Sequence, residues 1–454
     1  MEYTNNCVIF LWKSCTFQKK AVPLQAKMNA LFKNSAHLLS ANVVAQAIGL
    51  IVYPILTRIY SPEDFGLLNL FLSIGGILSV VATIEYQGAI VLPSDDKKSI
   101  ALFHLGIVTT VVLTVLLLAS NLFDNLIGTL FHTPALLLCW KWLAAFVFLG
   151  GLWSLQNNWL IRQQEFGAIS VYQVSQSVVG SVCKIVFGVI GMVGVGLITS
   201  SIIAMAVALI LSCCFERKFN RRDILTCHTS WNELKQVARE YKNFPIYSFP
   251  RSILNSVSGN LPALVLSPVF GLTELGFFGM AVTLAFRPIQ LISQSVYQVL
   301  FQRYSVIIRQ QEQVLPFTIQ MVKKAVLVIV PVFVVLWFVL PTLVCWLLGA
   351  EWGTTSYYIR IMLPWLALVV VAPTLGFIPD IFMQQKTATM IEVGYFILRV
   401  LALGLGVWCF SFKVAILAYT VVGCIVLGGQ IGWYFYLLIQ YEKHRNTQSN
   451  CNPN

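Results

Sequence analysis

Six basic side chains interrupt long apolar stretches of this sequence, where a membrane or a protein core disfavours charge. A charged side chain at the centre of a bilayer costs at least about 2.5–3.5 kcal/mol, so it persists where it faces water, a partner or a ligand. Arg and Lys at such depth suit phosphate and carboxylate groups, and the planar guanidinium donates two hydrogen bonds at once. The six are Lys141, Lys184, Arg251, Arg287, Arg360 and Arg399.

Arg287 is the strongest candidate for an anion-binding residue. It lies at the centre of an apolar stretch and precedes Pro288, which loosens a helix because proline removes one backbone hydrogen bond. Lys184 and Arg399 lie at similar depths in their own stretches. Arg251 is closer to a helix end, so it either faces a cavity or extends its guanidinium to the membrane surface. The two cations near helix ends, where an interfacial position is expected, are Lys141 and Arg360.

Polar side chains accompany these cations in two apolar stretches, near 243–268 and 275–300. Amides and hydroxyls can hydrogen-bond sugar hydroxyls, but polar side chains also commonly join membrane helices to one another. Both interpretations stay open at this point. The residues are Asn255, Ser256, Ser258, Asn260, Gln290, Ser293 and Gln294.

Three acidic residues, Glu85, Asp380 and Glu392, also fall in apolar stretches and can neutralise some of the cations. Glu392 lies seven residues before Arg399, too far along a helix for direct pairing. Glu85 and Asp380 are candidate carriers of a coupling ion, H⁺ or Na⁺. The sequence has no G-x-x-x-x-G-K-[ST] motif for direct use of ATP. The eleven cysteines form no C-x-x-C motif, so we expect no metal site, no disulfide framework and no cofactor.

The elements that position these residues follow from composition. The 454-residue sequence is 57% hydrophobic and 11% charged, with a mean hydropathy of +0.77. Soluble domains carry about 25% charged residues, so the sequence predicts an all-α polytopic membrane protein. Twelve stretches reach the roughly 20 residues that a transmembrane helix needs. They lie near 36–57, 65–91, 99–121, 136–155, 167–190, 194–214, 243–268, 275–300, 321–347, 355–381, 388–410 and 414–440.

The basic excess of the sequence, +12 at pH 7, lies in short segments between apolar stretches, which indicates membrane topology and not nucleic-acid binding. Of the 30 Lys and Arg, 22 lie on the side of the termini, and Arg58 and Lys413 lie on the other. The positive-inside rule therefore predicts that both termini are cytoplasmic. The predicted division is a cytoplasmic segment 1–35, an N-lobe 36–214, an inter-lobe loop 215–242, a C-lobe 243–440 and a cytoplasmic tail 441–454, with a central cavity between two lobes of six helices.

A short connector, T-R-I-Y-S-P-E-D-F-G at 57–66, has a counterpart in the second half of the sequence. Lys33 precedes Gly66 by 33 residues and Lys242 precedes Gly276 by 34, with an apolar helix and an acidic connector in between. Both units start on the same side of the membrane, as in transporters whose halves are related by an axis along the membrane normal. Arg58 either completes a capped, salt-bridged hairpin or faces a central cleft and contacts an anionic ligand.

Several segments resemble one known family. The segment L-T-R-I-Y-S-P-E-D-F-G-L-L-N-L-F-L-S-I is followed by I-E-Y-Q-G-A-I-V-L-P at 84–93. R-Q-Q-E-F-G-A-I-S-V-Y-Q-V-S-Q-S follows at 162–177, and R-P-I-Q-L-I-S-Q-S-V-Y-Q-V-L-F at 287–301. In this order they resemble the polysaccharide biosynthesis and export proteins, the Wzx-type flippases of O-antigen and capsule repeat units. These belong to the multidrug/oligosaccharidyl-lipid/polysaccharide exporter superfamily.

The resemblance implies a V-shaped transporter of the bacterial inner membrane, with spans 1, 2, 7 and 8 lining a cavity that alternates between the two membrane faces. The implied cargo is an oligosaccharide repeat unit on undecaprenyl diphosphate, moved from the cytoplasmic to the periplasmic leaflet for O-antigen, capsule or exopolysaccharide synthesis. Membrane lipids, a polysaccharide polymerase and a chain-length regulator are the implied partners. The cavity residues would include Arg287, Arg251, Arg58, Lys184, Arg399, Asn255, Asn260, Gln290 and Gln294.

Three alternatives stay open on the sequence. A drug or metabolite exporter of the same superfamily is disfavoured for cationic drugs, because the deep charges are mainly positive. A flippase for peptidoglycan precursors usually has fourteen spans, and twelve are predicted here. A membrane-embedded glycosyltransferase or polymerase usually has large outer loops with catalytic acids or arginines. The predicted outer loops are short, so we do not expect an enzyme.

Overall fold

The computed structural model describes residues 40–123, 134–216, 229–309, 313–382 and 384–451. Within these ranges the chain is helical and contains no strand. We number the thirteen long helices of this part of the chain α1 to α13 and refer to α1–α6 and α8–α13 as its N-terminal and C-terminal halves. They are Ser40–Ile59, Pro62–Thr83, Asp96–Ser120, Pro134–Gln163, Phe166–Val189, Val195–Phe215, Trp231–Glu240, Phe249–Ala281, Arg287–Arg309, Val314–Leu348, Gly353–Val371, Gln385–Trp408 and Phe412–Cys451.

Each of the twelve predicted spans overlaps a long helix, and nine helices of the described residues are long and apolar enough to cross a membrane. One of these nine is a continuous 47-residue run, Phe244–Gln290. At 1.5 Å per residue it is about 70 Å long, more than twice the hydrocarbon core of a bilayer. Gly271, with φ 83° and ψ 176°, breaks the helix inside this run. This run corresponds to two predicted spans, and helices α4 and α5, which correspond to two more, are not among the nine. The count of twelve spans and the two lobes stay predictions.

Two predicted spans end earlier than the apolar pattern suggests. Helix α2 ends at Thr83, because Ile84 and Glu85 both take positive φ angles, 47° and 63°. A single helical turn, Tyr86–Ala89, follows. In the same way α11 ends at Val371, and a 3₁₀ turn leads to the one-turn helix Ile378–Ile381. Glu85 therefore lies at a break between helices, and the expectation that it sits inside a continuous span is wrong. Asp380 lies in the one-turn helix that follows the 3₁₀ turn.

The predicted inter-lobe loop contains a helix that the sequence analysis missed, the amphipathic α7. Ser230 caps it, since its backbone N–H donates to Glu233 Oε2 at 2.7 Å while its side chain accepts from the first turn. Leu234 and Val237 are buried. An ion pair of 2.8 Å between Lys98 Nζ and Glu240 Oε1 joins the end of α7 to α3.

The connector between α1 and α2 is a capped hairpin. The Ser61 backbone N–H donates to Asp64 Oδ2 at 2.8 Å, and the Asp64 N–H donates to Ser61 Oγ at 3.3 Å. Pro62 is the first residue of α2, where its missing N–H costs nothing. Arg58 does not complete this hairpin with a salt bridge. Its side chain is exposed and forms no ion pair with any described residue.

The two halves of the chain meet through the repeated connectors. Gly66 of α2 lies against Gly276 of α8 so closely that a methyl group on Gly66 would stand 1.8 Å from the Leu272 carbonyl oxygen. A methyl group on Gly276 would stand 1.8 Å from the Pro62 carbonyl oxygen. Each carbonyl belongs to the residue four positions before the partner glycine, so the contact is reciprocal.

Trp352 extends this contact. It ends the 3₁₀ turn Ala350–Trp352 between α10 and α11 and is only 1% exposed. Its ring lies 5.3 Å from that of Phe65 in α2 and 5.8 Å from that of Phe277 in α8, and its Nε1–H donates to the Thr57 carbonyl at 3.3 Å. Small residues allow the backbones to approach, and the aromatic rings fill the space around them. The halves are therefore closed against each other at the end where α1 meets α2.

Candidate functional site

A cavity of about 500 Å³ lies mainly within the N-terminal half, and we call it the N-cavity. Its α5 wall contains Gln173, Gln176, Ser177, Gly180, Ser181 and Lys184. Steps of one and three residues place all of these on one helix face. Helix α1 contributes Asn42, Gln46, Gly49 and Tyr53 with the same periodicity. The polar faces of α1 and α5 thus line one space, and their polarity explains why α5 is not apolar enough to be counted as a membrane helix.

Lys184 and Arg287 both line the N-cavity. Lys184 is half-buried, Arg287 is exposed to the cavity, and the positive charge of Arg287 acts on Lys184. Neither side chain forms a hydrogen bond or an ion pair with another residue in the part of the chain that the structure describes. Partly buried charges without a counter-ion are unfavourable, so the N-cavity is electrostatically suited to an anion.

A second cavity, of about 290 Å³, lies mainly in the C-terminal half, and we call it the C-cavity. Its cation is Arg399 of α12, whose Nη1 donates to Ser258 Oγ of α8 at 3.1 Å. The guanidinium carbon lies 3.8 Å from the ring centroid of Tyr395 and 5.3 Å from that of Tyr419. Aromatic faces hold a cation in place while leaving its charge available.

Arg287 and Thr283 line both cavities, so Arg287 stands where they adjoin. The local sequence explains its position. Pro288 has no N–H to donate and its ring crowds the preceding turn, and the chain relaxes into a π-helical turn at Val282–Phe286. This turn precedes Arg287, the first residue of α9, whose side chain lines both cavities.

An apolar groove of about 1070 Å³ runs beside the N-cavity. It is bordered by α1, by the start of α9 and by α10, and it shares Leu50 and Tyr53 with the N-cavity. Pro288, the neighbour of Arg287, also lines the groove. A cationic space and an apolar space therefore adjoin along α1.

Of the other predicted site residues, two line the C-cavity and five line neither cavity. Asn260 and Gln290 line the C-cavity, and the Asn260 amide donates to the Ser256 carbonyl at 2.8 Å. The Gln294 side chain lies outside the described residues. The predicted residues that line neither cavity are Arg58, Arg251, Asn255, Glu85 and Asp380. Glu85 Oε2 accepts a hydrogen bond of 3.1 Å from Gln87 Nε2, and the Asp380 side chain is exposed.

The structure adds aromatic residues that the sequence analysis missed. Trp153 and Tyr172 stack at 3.3 Å in the wall of the N-cavity. Trp365 lines the C-cavity and stacks on Phe286 at 5.4 Å. In a sequence with 12 Trp and 16 Tyr, no spacing distinguishes these rings from those that face lipid. The sequence analysis also missed the polar face of α5, although its residues recur at helical spacing and could have been recognised.

Residues 55–357, more than half of the chain, match the family described as polysaccharide biosynthesis protein. The chain belongs to this family. A curated relative, the succinoglycan biosynthesis transport protein ExoT of Rhizobium meliloti (strain 1021), is 22% identical over 309 residues. The match covers 67% of this chain and 59% of the relative, so the chain spans less than two thirds of that protein's length.

Among solved structures, this member of the polysaccharide biosynthesis protein family is similar to an inward-facing multidrug resistance MATE family transporter of the MOP superfamily. The TM-score is 0.64 at 14% identity, with 89% of this chain and 96% of the other covered. The lipid II flippase MurJ, in an inward closed conformation, is similar with a TM-score of 0.62 at 14% identity, covering 90% and 87%. At this identity the similarity shows the fold alone, which this chain shares with these two solved structures.

Proposed function

We propose that the protein moves an oligosaccharide repeat unit on undecaprenyl diphosphate from the cytoplasmic to the periplasmic leaflet of a bacterial inner membrane. The transported unit would supply O-antigen, capsule or exopolysaccharide synthesis. One observation carries the proposal: Lys184 and Arg287 face the same cavity without a counter-ion among the described residues, and an apolar groove adjoins that cavity.

The N-cavity fits the headgroup of such a lipid. A diphosphate is strongly anionic and cannot cross the apolar core unaided, so it needs a polar, cationic passage. Arg287 can donate two in-plane hydrogen bonds to phosphate oxygens, and Lys184 adds a point charge. The amides of Gln173 and Gln176 provide hydrogen-bond partners for sugar hydroxyls. Trp153, which is half-buried and stacks on the buried Tyr172, offers a flat surface to a sugar ring.

The apolar groove fits the polyprenyl chain. It joins the N-cavity at Leu50 and Tyr53, so a lipid whose diphosphate contacts Arg287 can leave its tail among the side chains of α9 and α10. The tail then stays in apolar surroundings while only the headgroup crosses the protein. This arrangement avoids the cost of moving a long hydrocarbon chain through a polar space.

Alternating access is supported by the closed contact at Gly66 and Gly276. The charge distribution of the sequence favours a periplasmic position for this end. The N-cavity extends along α1 to Asn42, near the opposite end of that helix. A headgroup would therefore enter from the cytoplasmic leaflet and leave after the Gly66–Gly276 contact opens.

The decisive experiment follows a fluorescent, saccharide-bearing polyprenyl diphosphate in proteoliposomes, with a membrane-impermeant quencher to count molecules in each leaflet. The wild-type protein should equilibrate the two leaflets. Arg287→Gln and Lys184→Gln should each slow this by about tenfold or more, the effect of one lost charge-assisted contact. Arg303→Gln is the matched control, because Arg303 is an exposed arginine of the same helix outside both cavities. Equal rates in vesicles with and without protein would remove the proposal.

Ion coupling by H⁺ or Na⁺ forms part of the proposal. Glu85 and Asp380 remain its candidate carriers, although both lie outside the cavities. An imposed proton or sodium gradient should speed transport in one direction, and Glu85→Gln or Asp380→Asn should abolish that response. Transport that ignores both gradients would eliminate coupling while leaving the flippase assignment intact. A polysaccharide polymerase and a chain-length regulator are the proposed downstream partners.

The two other transporter functions can be separated in the same vesicles. Cationic drugs should not compete with the polyprenyl substrate, because Lys184 and Arg287 repel positive charge. A peptidoglycan lipid precursor shares the diphosphate, so its failure to compete would indicate selection through the saccharide. Efflux of a cationic dye that depends on Arg287, without flipping of the lipid, would favour the drug-exporter alternative.

A further inference from the structure

Helix α7 lies against the first turns of α3, one of the nine helices apolar enough to cross a membrane. The hydroxyl of Thr229, just before α7, lies 2.7 Å from His104 Nδ1 of α3, while Glu240 at the other end of α7 pairs with Lys98. His104 follows Lys98 by six residues, about 9 Å along α3. Helix α7 therefore runs antiparallel to the start of α3, and its Trp231 end lies farther into that span than its Glu240 end.

Apolar packing also holds α7 in this place. Leu234 and Val237 are buried, and Val237 belongs to one cluster with Phe103 of α3 and Trp159 of α4. The helix is therefore docked on the membrane-spanning part of the N-terminal half and does not extend away from it. This position brings its other faces to the level of the bilayer surface.

A row of exposed side chains runs along α7. Trp231, Lys235 and Arg239 follow one another at steps of four residues, which places them on one helix face, and we call them the α7 row. Trp231 is 61% exposed, and Lys235 Nζ lies 6.0 Å from its ring centroid. Because the Trp231 end lies farther into the span, the row places an indole ring nearest the bilayer interior and two cations above it.

The two cations of the α7 row have no counter-ion in the part of the chain that the structure describes. Both carboxylates of α7 are engaged elsewhere, since Glu233 completes the cap at the start of the helix and Glu240 pairs with Lys98. Lysine and arginine beside an anionic leaflet are attracted to it, and tryptophan prefers the headgroup region. The α7 row thus has the charge and the ring that an anionic lipid surface would bind.

We infer that the α7 row binds the headgroups of anionic phospholipids in the leaflet at the Lys98 end of α3, with Trp231 at the level where headgroups meet acyl chains. Amphipathic helices that lie in this region combine basic and aromatic residues in the same way. Tyr247 and Arg251, which follow α7 along the chain, are also exposed. The bound lipid would hold the segment that links the two halves of the chain against the bilayer. The inference does not depend on the N-cavity or its cargo.

The test uses the full-length protein in nanodiscs that mix phosphatidylcholine with phosphatidylglycerol, with one of the two lipids brominated so that it quenches tryptophan on contact. Subtracting the signal of a Trp231→Phe counterpart isolates the fluorescence of Trp231 in each background. Phosphatidylglycerol should be enriched about tenfold or more over phosphatidylcholine at Trp231, the effect of two cations near an anionic lipid. Lys235→Gln/Arg239→Gln should lose this enrichment while both lipids still quench Trp231.

The matched control is Lys323→Gln/Lys324→Gln, which removes two exposed cations of α10 and changes the net charge equally. It should keep the enrichment, and thermal unfolding of each variant checks that folding is retained. Three results would overturn the inference. Equal quenching by the two brominated lipids would show no preference for anionic headgroups, and an equal loss in the α10 control would show an effect of net charge alone. Absence of quenching by either lipid would place the α7 row in water, where it would suit an acidic soluble partner instead.

Discussion

Gly66 of α2 and Gly276 of α8 pack backbone against backbone, and a methyl group on either would stand 3.1 Å from the amide nitrogen of the other. The two residues occupy equivalent positions in the repeated connectors, 57–66 and its counterpart before Gly276. Their contact is therefore the place where the two halves of the sequence meet as like parts, and it closes the outer end of the proposed pathway.

Substitution of Gly276 by alanine should open this end. The added methyl group would overlap the Pro62 carbonyl, and overpacking typically costs about 1–3 kcal/mol. Because only the closed state contains the contact, the variant should shift toward the outward-open state. A Thr57→Cys reporter in a cysteine-free background should react faster with an impermeant thiol reagent. Gly404→Ala is the control, since nothing lies within 4 Å of a methyl group there. Unchanged labelling in Gly276→Ala would contradict the assignment of this contact as a gate.

Two substitutions at Trp352 should open the same end to different extents. Trp352→Phe keeps a ring between Phe65 and Phe277 but loses the hydrogen bond to the Thr57 carbonyl, worth about 0.5–1.5 kcal/mol. Trp352→Ala leaves a cavity and should cost about 3–5 kcal/mol. Labelling of the Thr57→Cys reporter should therefore rise in the order wild type, Trp352→Phe, Trp352→Ala. The reverse order for the two variants would show that Trp352 does not act through ring packing.

Lys184 and Arg287 should act as a unit. If both contact one diphosphate, the double variant Lys184→Gln/Arg287→Gln should lose less transport than the two single losses combined. Contacting or coupled residues typically show interaction energies of about 0.5–3 kcal/mol. Initial flipping rates of the four proteins complete the cycle. Strict additivity would mean that the two cations serve different parts of the cargo.

The apolar groove should matter only for long lipid tails. Val332→Trp fills part of the groove and should slow flipping of a long polyprenyl substrate while sparing the same saccharide on a short prenyl chain. The matched control is Leu327→Trp on the same helix, because Leu327 is 75% exposed and lies outside the groove. An equal effect on long and short chains would show that the tail does not occupy this groove.

The all-helical class follows from composition, because so apolar a chain with so few charges cannot cover its surface with polar groups. Helix ends were harder to predict. The apolar pattern continues through Thr83 to Leu92, but Ile84 and Glu85 adopt left-handed conformations that no local residue preference announces. Helix α7 has a readable start, S-W-N-E, which is a capping box, yet it lies in a segment too polar to attract notice next to the apolar spans.

Some residues of the candidate site could likewise be predicted from the sequence, and others could not. Arg287, Lys184 and Arg399 could be predicted, since a charge in an apolar stretch needs a reason. The face of α5 from Gln173 to Lys184 also repeats at helical spacing. Tyr395 lies four residues before Arg399 on α12, a spacing that the sequence shows, whereas Tyr419 belongs to α13 and meets Arg399 only through tertiary packing. Arg58 lines neither cavity, because it lies at the end of α1, where its side chain is exposed.

The central claim is that Lys184 and Arg287 together bind a diphosphate, and the affinity of the nanodisc-embedded protein for a short-chain prenyl diphosphate tests it most directly. Calorimetric titration should show saturable binding by the wild type and by Arg303→Gln. Binding should be about tenfold or more weaker in Lys184→Gln and in Arg287→Gln. Equal affinities in all four proteins would contradict the account.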